Sequence, residues 1–359
     1  MTLVQTIVPK HMSAVLLKGH GGTEQLEYRH DVPVPVPARG EVLIRVRAAA
    51  LNNTDINTRI GWYSKSIASA TGSTRTAEAV ASDSGWAGDA LSFPRIQGAD
   101  ACGHIVAVGP DGDARRIGER VVVDPVLRPA TGPPLYFGSD TQGAFAEFAA
   151  VPERNACGIR STLSDVELAS FPCAYLAAEN MLTRAGVTSG ERVLVTGASG
   201  GVGSAAVQLA QRRGAHVIAL AGPVKSTAIQ ELGASRVLPR EADLLAALGR
   251  ESVDVVIDVV GGTRFAQLLD VLVRRGRYAS AGAIGGPVVE LDLRTLYLKD
   301  LRLLGCTIPD PQVFPNLISY IERGEIRPVV SARYPLSEIA SAQTHFLEKS
   351  HIGKFVLIP

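Results

Sequence analysis

Apolar and polar positions along this chain follow two different periods, and the change falls near residue 192. Before it, short stretches read as strands: an apolar run at 13–18, polar–apolar alternation at 41–47, and further apolar runs at 104–108, 120–123 and 144–151. Prolines 33, 35 and 37 keep the intervening chain extended and out of helix. From about Arg192 strands and helices alternate. Strands are predicted at 193–196, 216–220, 237–238, 253–260, 277–281 and 301–306, with helices at 202–213, 226–232, 242–248 and 265–273. Strands that are apolar almost throughout, alternating with helices, imply a doubly wound parallel α/β sheet covered on both faces. After Pro309 a helical pattern returns, then a final strand at 354–358. This tail is patterned like the first segment. The expectation is therefore one β-rich domain from residues 1–160 and 309–359, and one α/β domain from 161–308.

Residues 64–92 fit neither period. They are rich in Ser, Ala, Thr and Gly, and read as a long loop with one short helix at 76–81. Loops of that length in a compact domain are frequently functional; a disordered excursion is the other reading. Lys plus Arg is 36 against 35 Asp plus Glu, so a basic nucleic-acid footprint or a polybasic membrane anchor is not expected. No apolar run approaches a membrane span, and residues 1–10 lack the basic and apolar regions of a secretory signal, so the expectation is a soluble cytoplasmic protein. Cys102, Cys157, Cys173 and Cys306 are too scattered for a disulfide framework or a zinc ribbon.

The main chemical signal is a strand running into Ala198, Ser199, Gly200, Gly201, Val202 and Gly203, with a helix starting at once. Gly200 and Gly201 let backbone approach a pyrophosphate, Gly203 lets helix pack on strand, and the helix N-terminus offers free N–H groups. In that context the turn is a candidate dinucleotide cradle. The second strand ends Leu220-Ala221-Gly222, with no carboxylate for the ribose hydroxyls. Lys225 follows, and Arg240 after the third strand is a weaker second cation. An acid would repel a 2′-phosphate whereas a cation accommodates one, so NADPH is favoured over NADH. Val259, in the segment 258–262, and Gly282 and Ala283, in 280–286, would border the same crevice at the carboxyl ends of the strands.

The stretches 37–46, 51–61, 98–109, 198–203 and 353–357 together resemble the medium-chain dehydrogenase/reductase superfamily, in particular its zinc-independent quinone oxidoreductase-like branch. The resemblance runs nearly end to end. It implies a GroES-like β-rich catalytic domain built from both chain ends, a Rossmann domain between them, a homodimer or homotetramer, and Lys354 as a further cofactor contact. Zinc-dependent relatives carry Cys and His where this chain has Asn52 and Ala99, leaving only Cys173 at a ligand position, and their structural-zinc lobe of four cysteines is missing. No metal is therefore expected.

Without metal, the resemblance implies hydride transfer from NADPH to a quinone or to a C=C bond conjugated with a carbonyl. Asn52 and Asp55 lie on the motif facing the nicotinamide in relatives. Asn52 is a candidate for holding a substrate carbonyl, Asp55 for orienting backbone, and Tyr63 for proton donation or stacking, while Arg59 reads as structural. Several reductases carry Tyr where this chain has Asn57. Trp62, Tyr63 and Trp86 could form an aromatic lid over a small planar substrate. Two other readings stay open: an alcohol/aldehyde dehydrogenase, and a non-catalytic NADPH-binding protein.

Overall fold

The structure is a computed structural model that describes residues 8–73, 83–86 and 88–359. The helix expected at 76–81 lies outside the described residues. The first part of the chain is built from β1 His11–Leu17, β2 Leu26–Pro33, β3 Glu41–Ala50, α1 Asn53–Arg59, β4 Cys102–Val108, β5 Arg120–Val123, β6 Val126–Leu127, β7 Leu135–Tyr136, β8 Phe148–Pro152 and β9 Ala156–Gly158. Then come α2 Asp165–Leu168 and α3 Pro172–Arg184. The alternating region runs β10 Arg192–Val195, α4 Gly201–Arg212, β11 His216–Ala221, α5 Ser226–Glu231, β12 Arg236–Pro239, α6 Leu244–Leu248, β13 Val253–Asp258, α7 Phe265–Asp270, β14 Leu272–Ser280, α8 Leu293–Leu298 and β15 Arg302–Gly305. The tail supplies α9 Val313–Glu322, β16 Val330–Pro335, α10 Ile339–Leu347 and β17 Lys354–Ile358.

Strands β10 to β15 form one parallel six-stranded sheet in the order β12-β11-β10-β13-β14-β15. Alternation within β10 assigns its faces: Val193 and Val195 pack with α3 and α4, and Leu194 packs with α6 and α7. Both faces are thus covered, as an all-parallel sheet requires. The second sheet is mixed, in the order β16-β17-β3-β4-β5-β9, with β8 also paired to β3. Its strand β17 lies antiparallel to β3, joining the tail to the first part of the chain. Among the described residues, no helix is long and apolar enough to cross a membrane.

Several elements differ from their sequence patterns for physical reasons. Most of α3 is buried, from Pro172 through Leu182, so it carries no amphipathic stripe for periodicity to reveal. The apolar run expected to finish α7 instead opens β14, with Leu272 opposite Val253, because buried apolar residues satisfy either element. Strand β13 stops at Asp258 because that carboxylate turns the chain, accepting N–H bonds from Val260 and Gly261. Only residues from Phe148 onward join the β8 ladder; Ala146 makes an isolated bridge to Ala14.

The cleft between the domains is tied at its base. Tyr175 of α3 donates its hydroxyl to Arg327 O at 2.6 Å and accepts from Gln208 of α4 at 2.8 Å. Gly353 N–H reaches Ser199 O at 2.9 Å, so the tail meets the glycine-rich turn directly.

Candidate active site

Helix α4 begins at Gly201 directly beyond β10, as the cradle motif demands. A Cβ on Gly203 would sit 2.1 Å from Gly197 O, which excludes any side chain there. The crevice in front of the turn is lined by Thr196, Ser199, Gly200, Gly201, Arg240, Asp258, Val260, Gly261, Arg264, Ile284, Phe346, Lys349 and His351. Asp258 fixes its floor: fully buried, it accepts from Thr196 Oγ1 and Tyr278 Oη, each at 2.5 Å. Val259 N–H bonds Thr196 Oγ1, and Gly282 O accepts from Ser280 Oγ. Ala283 packs toward the catalytic-domain core, next to the insertion strap described below. A nicotinamide dinucleotide fits these features: a cradle that a Cβ would fill, and cations around it.

The two candidate phosphate cations exchange rank. Lys225 is buried, and its ammonium donates to Lys349 O at 2.7 Å, His351 O at 2.6 Å and Ser199 Oγ at 3.4 Å. It holds the tail loop against the cradle. Arg240 is exposed, lies over Gly222 so closely that a Cβ there would be 3.1 Å from its guanidinium, and joins no ion pair among the described residues. Arg264 bonds the carbonyls of Arg240 and Ala242, fixing that segment.

The catalytic-domain candidates meet in one buried cluster. Lys354 Nζ lies 2.8 Å from Asp100 Oδ2 and 2.5 Å from Asn52 Oδ1, with side-chain exposures of 3% and 0% for the ion pair. Asn52 Nδ2 donates to the same Asp100 oxygen at 2.9 Å and also reaches Ala50 O. Asp100 Oδ1 accepts Cys173 N–H at 2.6 Å. Asn52 is thereby engaged on both ends of its amide, and holds Lys354 and Asp100 rather than offering a free donor to a substrate. Lys354, expected at the cofactor, belongs to this cluster, although its stem also touches the cradle at Gly201. Asp55 caps α1 by accepting Asn52 N–H at 2.7 Å, and burial raises its carboxyl to about 7.

Cys173 accepts from Tyr136 Oη at 3.0 Å, and burial, then the Asp100 carboxylate, push its thiol up to about 12. Tyr63 donates to Thr54 Oγ1 at 2.9 Å; burial lifts its phenol to about 12, and burial likewise raises that of Tyr136. Both remain protonated. Trp86 lies on Tyr136 with ring centroids 4.6 Å apart. Trp62, by contrast, is a core residue whose indole N–H bonds Ser69 O. Arg59 is buried against Gln343 and Gly21 O. The described start of the 64–92 loop straps the mouth: Thr71 N–H reaches Ile284 O at 3.1 Å, and its hydroxyl bonds Asn57.

A zinc ion does not suit this donor set. A lysine ammonium already neutralises Asp100, Cys173 is the only thiol at the cluster, and no group of three or more His, Cys, Asp or Glu gathers among the described residues. A larger groove of about 690 Å³, lined by Met12, Val32, Pro33, Ile96, Leu127 and Phe148, includes none of the candidate residues. Sequence reading missed Tyr136, Arg264 and Lys349 and gave no role to the Asp100 or Asp258 carboxylates; only the fold brings these separate segments together.

Removing one partner of a buried ion pair strands the other, typically at about 3–5 kcal/mol. Lys354→Met is expected to lose stability on that scale in urea unfolding, and the Lys354→Met/Asp100→Asn double variant to recover part of it. Equal stability of the single and double variants would contradict the pairing.

Residues 38–161 match the alcohol dehydrogenase GroES-like domain family, and residues 201–323 match the zinc-binding dehydrogenase family. Human quinone oxidoreductase is 28% identical over 97% of this chain and 98% of its own. Acryloyl-coenzyme A reductase of Metallosphaera sedula is 29% identical over 96% of this chain and 99% of its own. Among solved structures, a candidate alcohol dehydrogenase from Sinorhizobium meliloti 1021 is 50% identical, with a TM-score of 0.89 and 98% of both chains covered. An NAD-dependent alcohol dehydrogenase is 30% identical, with a TM-score of 0.85, covering 97% of this chain and 100% of that one. With a Rossmann sheet, a GroES-like domain and a dinucleotide cradle at their junction, this chain belongs to the medium-chain dehydrogenase/reductase superfamily, a family of nicotinamide-dependent oxidoreductases.

Proposed function

We propose that this chain is an NADPH-dependent reductase of quinones or α,β-unsaturated carbonyls that works without a metal. The observation that carries the reading is a pair of substitutions in charge: a guanidinium over Gly222 where a carboxylate would select NADH, and the Lys354 ammonium among residues where a zinc ion would need thiolate and imidazole. The reduced nicotinamide, when bound, supplies the hydride. The chain's own residues do the rest. Tyr63 and Tyr136 keep their protons and donate them to Thr54 Oγ1 and Cys173 Sγ; on this reading a bound acceptor's carbonyl oxygen takes over one of these hydroxyls as it gains negative charge. Lys354, neutralised by Asp100, holds the Asn52 amide in place. Trp86 and Tyr136 give a flat aromatic wall for a planar acceptor, and the strap at Thr71 limits water entry.

Turnover of NADPH and NADH against a panel of quinones, enones and aldehydes, with and without chelator, tests the reading. NADPH-driven reduction of quinone or enone that survives chelation is expected. Alcohol oxidation abolished by chelation would replace it with the alcohol dehydrogenase reading, to which the Sinorhizobium relative points. Nucleotide binding without any turnover would favour the non-catalytic reading. Gly222 has extended backbone, so Gly222→Asp is conformationally free and places a carboxylate against Arg240. The preference for NADPH, as a ratio of kcat/KM values, should fall about tenfold or more, which is about 1.4 kcal/mol.

We further propose that the partner is a second copy of this chain. Strand β15 is the sheet edge, with Leu303 exposed, and Val288, Val289, Leu293, Tyr297 and Leu298 form exposed apolar surface in the preceding segment. Two β15 edges pairing about a two-fold axis would cover both edge and patch. Sedimentation should give a dimer for the native protein and a monomer for Leu303→Pro, which removes an edge N–H. A monomeric native protein at micromolar concentration would overturn this.

A further inference from the structure

Lys349 stands in a conformation that lysine rarely adopts. Its φ is +56°, in the left-handed region, at the position just past the C-cap of α10. The tail loop is held there from both sides, by Lys225 Nζ on Lys349 O and by Gly353 N–H on Ser199 O.

Its side chain reaches across the domain boundary into the dinucleotide crevice, beside Ser199, Gly200 and Gly201. Nζ donates to Asn53 Oδ1 at 2.8 Å and lies 4.2 Å from the Phe346 ring centroid. Among the described residues it joins no ion pair. The charged groups around it are mostly cationic, with Lys225, Arg240 and Arg264 on the Rossmann side; His351 on its own loop is neutral, because burial and then the neighbouring lysines lower its imidazole to about 4. Two carboxylates are near the crevice. Asp258 is saturated by Thr196, Tyr278 and backbone, and Asp100 is paired with Lys354. Burial first, and Lys225 second, lower the Lys349 ammonium to about 8.

A half-buried ammonium without a counter-ion, facing a phosphate cradle, is completed by an anion. We propose that Lys349 is a pyrophosphate-binding residue that the catalytic domain contributes to the dinucleotide site, opposite the α4 N-terminus. This rests on the dinucleotide reading above. Arriving phosphate charge stabilises the protonated form, so binding above about pH 8 takes up a proton, and affinity weakens as pH rises. The 2′-phosphate lies with Arg240, and Lys349 does not take part in it.

Calorimetric titration of NADPH, in two buffers of different ionisation enthalpy at about pH 7 and about pH 9, tests this on native protein, Lys349→Met and Lys349→Arg. Native protein should take up a fraction of a proton at the higher pH and bind less tightly there. Lys349→Met should bind NADPH about tenfold more weakly at the lower pH, with smaller proton uptake, and should bind adenosine 2′-phosphate as native protein does. Lys349→Arg should keep affinity across the range with little pH dependence, and it carries the test should the methionine variant fail to fold. No binding of NADPH or NADH by native protein would remove the dinucleotide reading itself. Native binding with unchanged affinity and proton uptake in Lys349→Met, or a pH dependence that persists in Lys349→Arg, would overturn the role of Lys349 alone.

Discussion

The ion pair between Lys354 and Asp100 is the interaction on which the junction of the two domains depends. Both groups are withdrawn from water, so each is tolerable only in the presence of the other. Asp100 lies just before β4, Lys354 opens β17, and Asn52 closes the triangle from just past β3. The pair therefore pins three chain segments, far apart in sequence, at one point. Asp100 also receives the N–H of Cys173 at the start of α3, the helix that packs against α4. Through that contact the placement of a single carboxylate fixes the catalytic domain relative to the nucleotide-binding sheet.

Charge is distributed unevenly across the junction. The substrate side is close to neutral: a compensated ion pair, a carboxyl raised by burial at Asp55, and hydroxyls and a thiol that keep their protons. The nucleotide side holds Lys225, Arg240, Arg264 and Lys349, with Asp258 already bound by Thr196 and Tyr278. Such a division suits a polyanionic cofactor and an uncharged acceptor. A neutral pocket also avoids opposing the negative charge that builds on an acceptor oxygen as hydride arrives.

Much of the fold was legible because alternation and glycine placement are local signals. Strand 120–123 was readable residue for residue, and the turn at 198–203 sits between a strand and a helix as its composition demands. Helix α3 was not legible, since a helix buried on nearly every side has no polar face to set its period. The site was legible only in part. Asn52 and Asp55 lie together in the cluster, but the role of Asn52 depends on Asp100 and Lys354, whose proximity no sequence spacing encodes. Lys225 and Arg240 both read in sequence as cations beyond successive strands, with Lys225 the stronger candidate. Their difference comes from the tail carbonyls that claim one ammonium and leave the other side chain free to face Gly222.

The tail's attachment to the glycine-rich turn has a mechanical consequence. Gly353 bridges to Gly200, its N–H bonds Ser199 O, and Lys225 grips two carbonyls of the same loop. Rigid-body gaping of the domains at this end would break all of these contacts together. The Thr71 N–H to Ile284 O bond ties the domains at the mouth as well as at the tail, so parting them from either side must break backbone contacts.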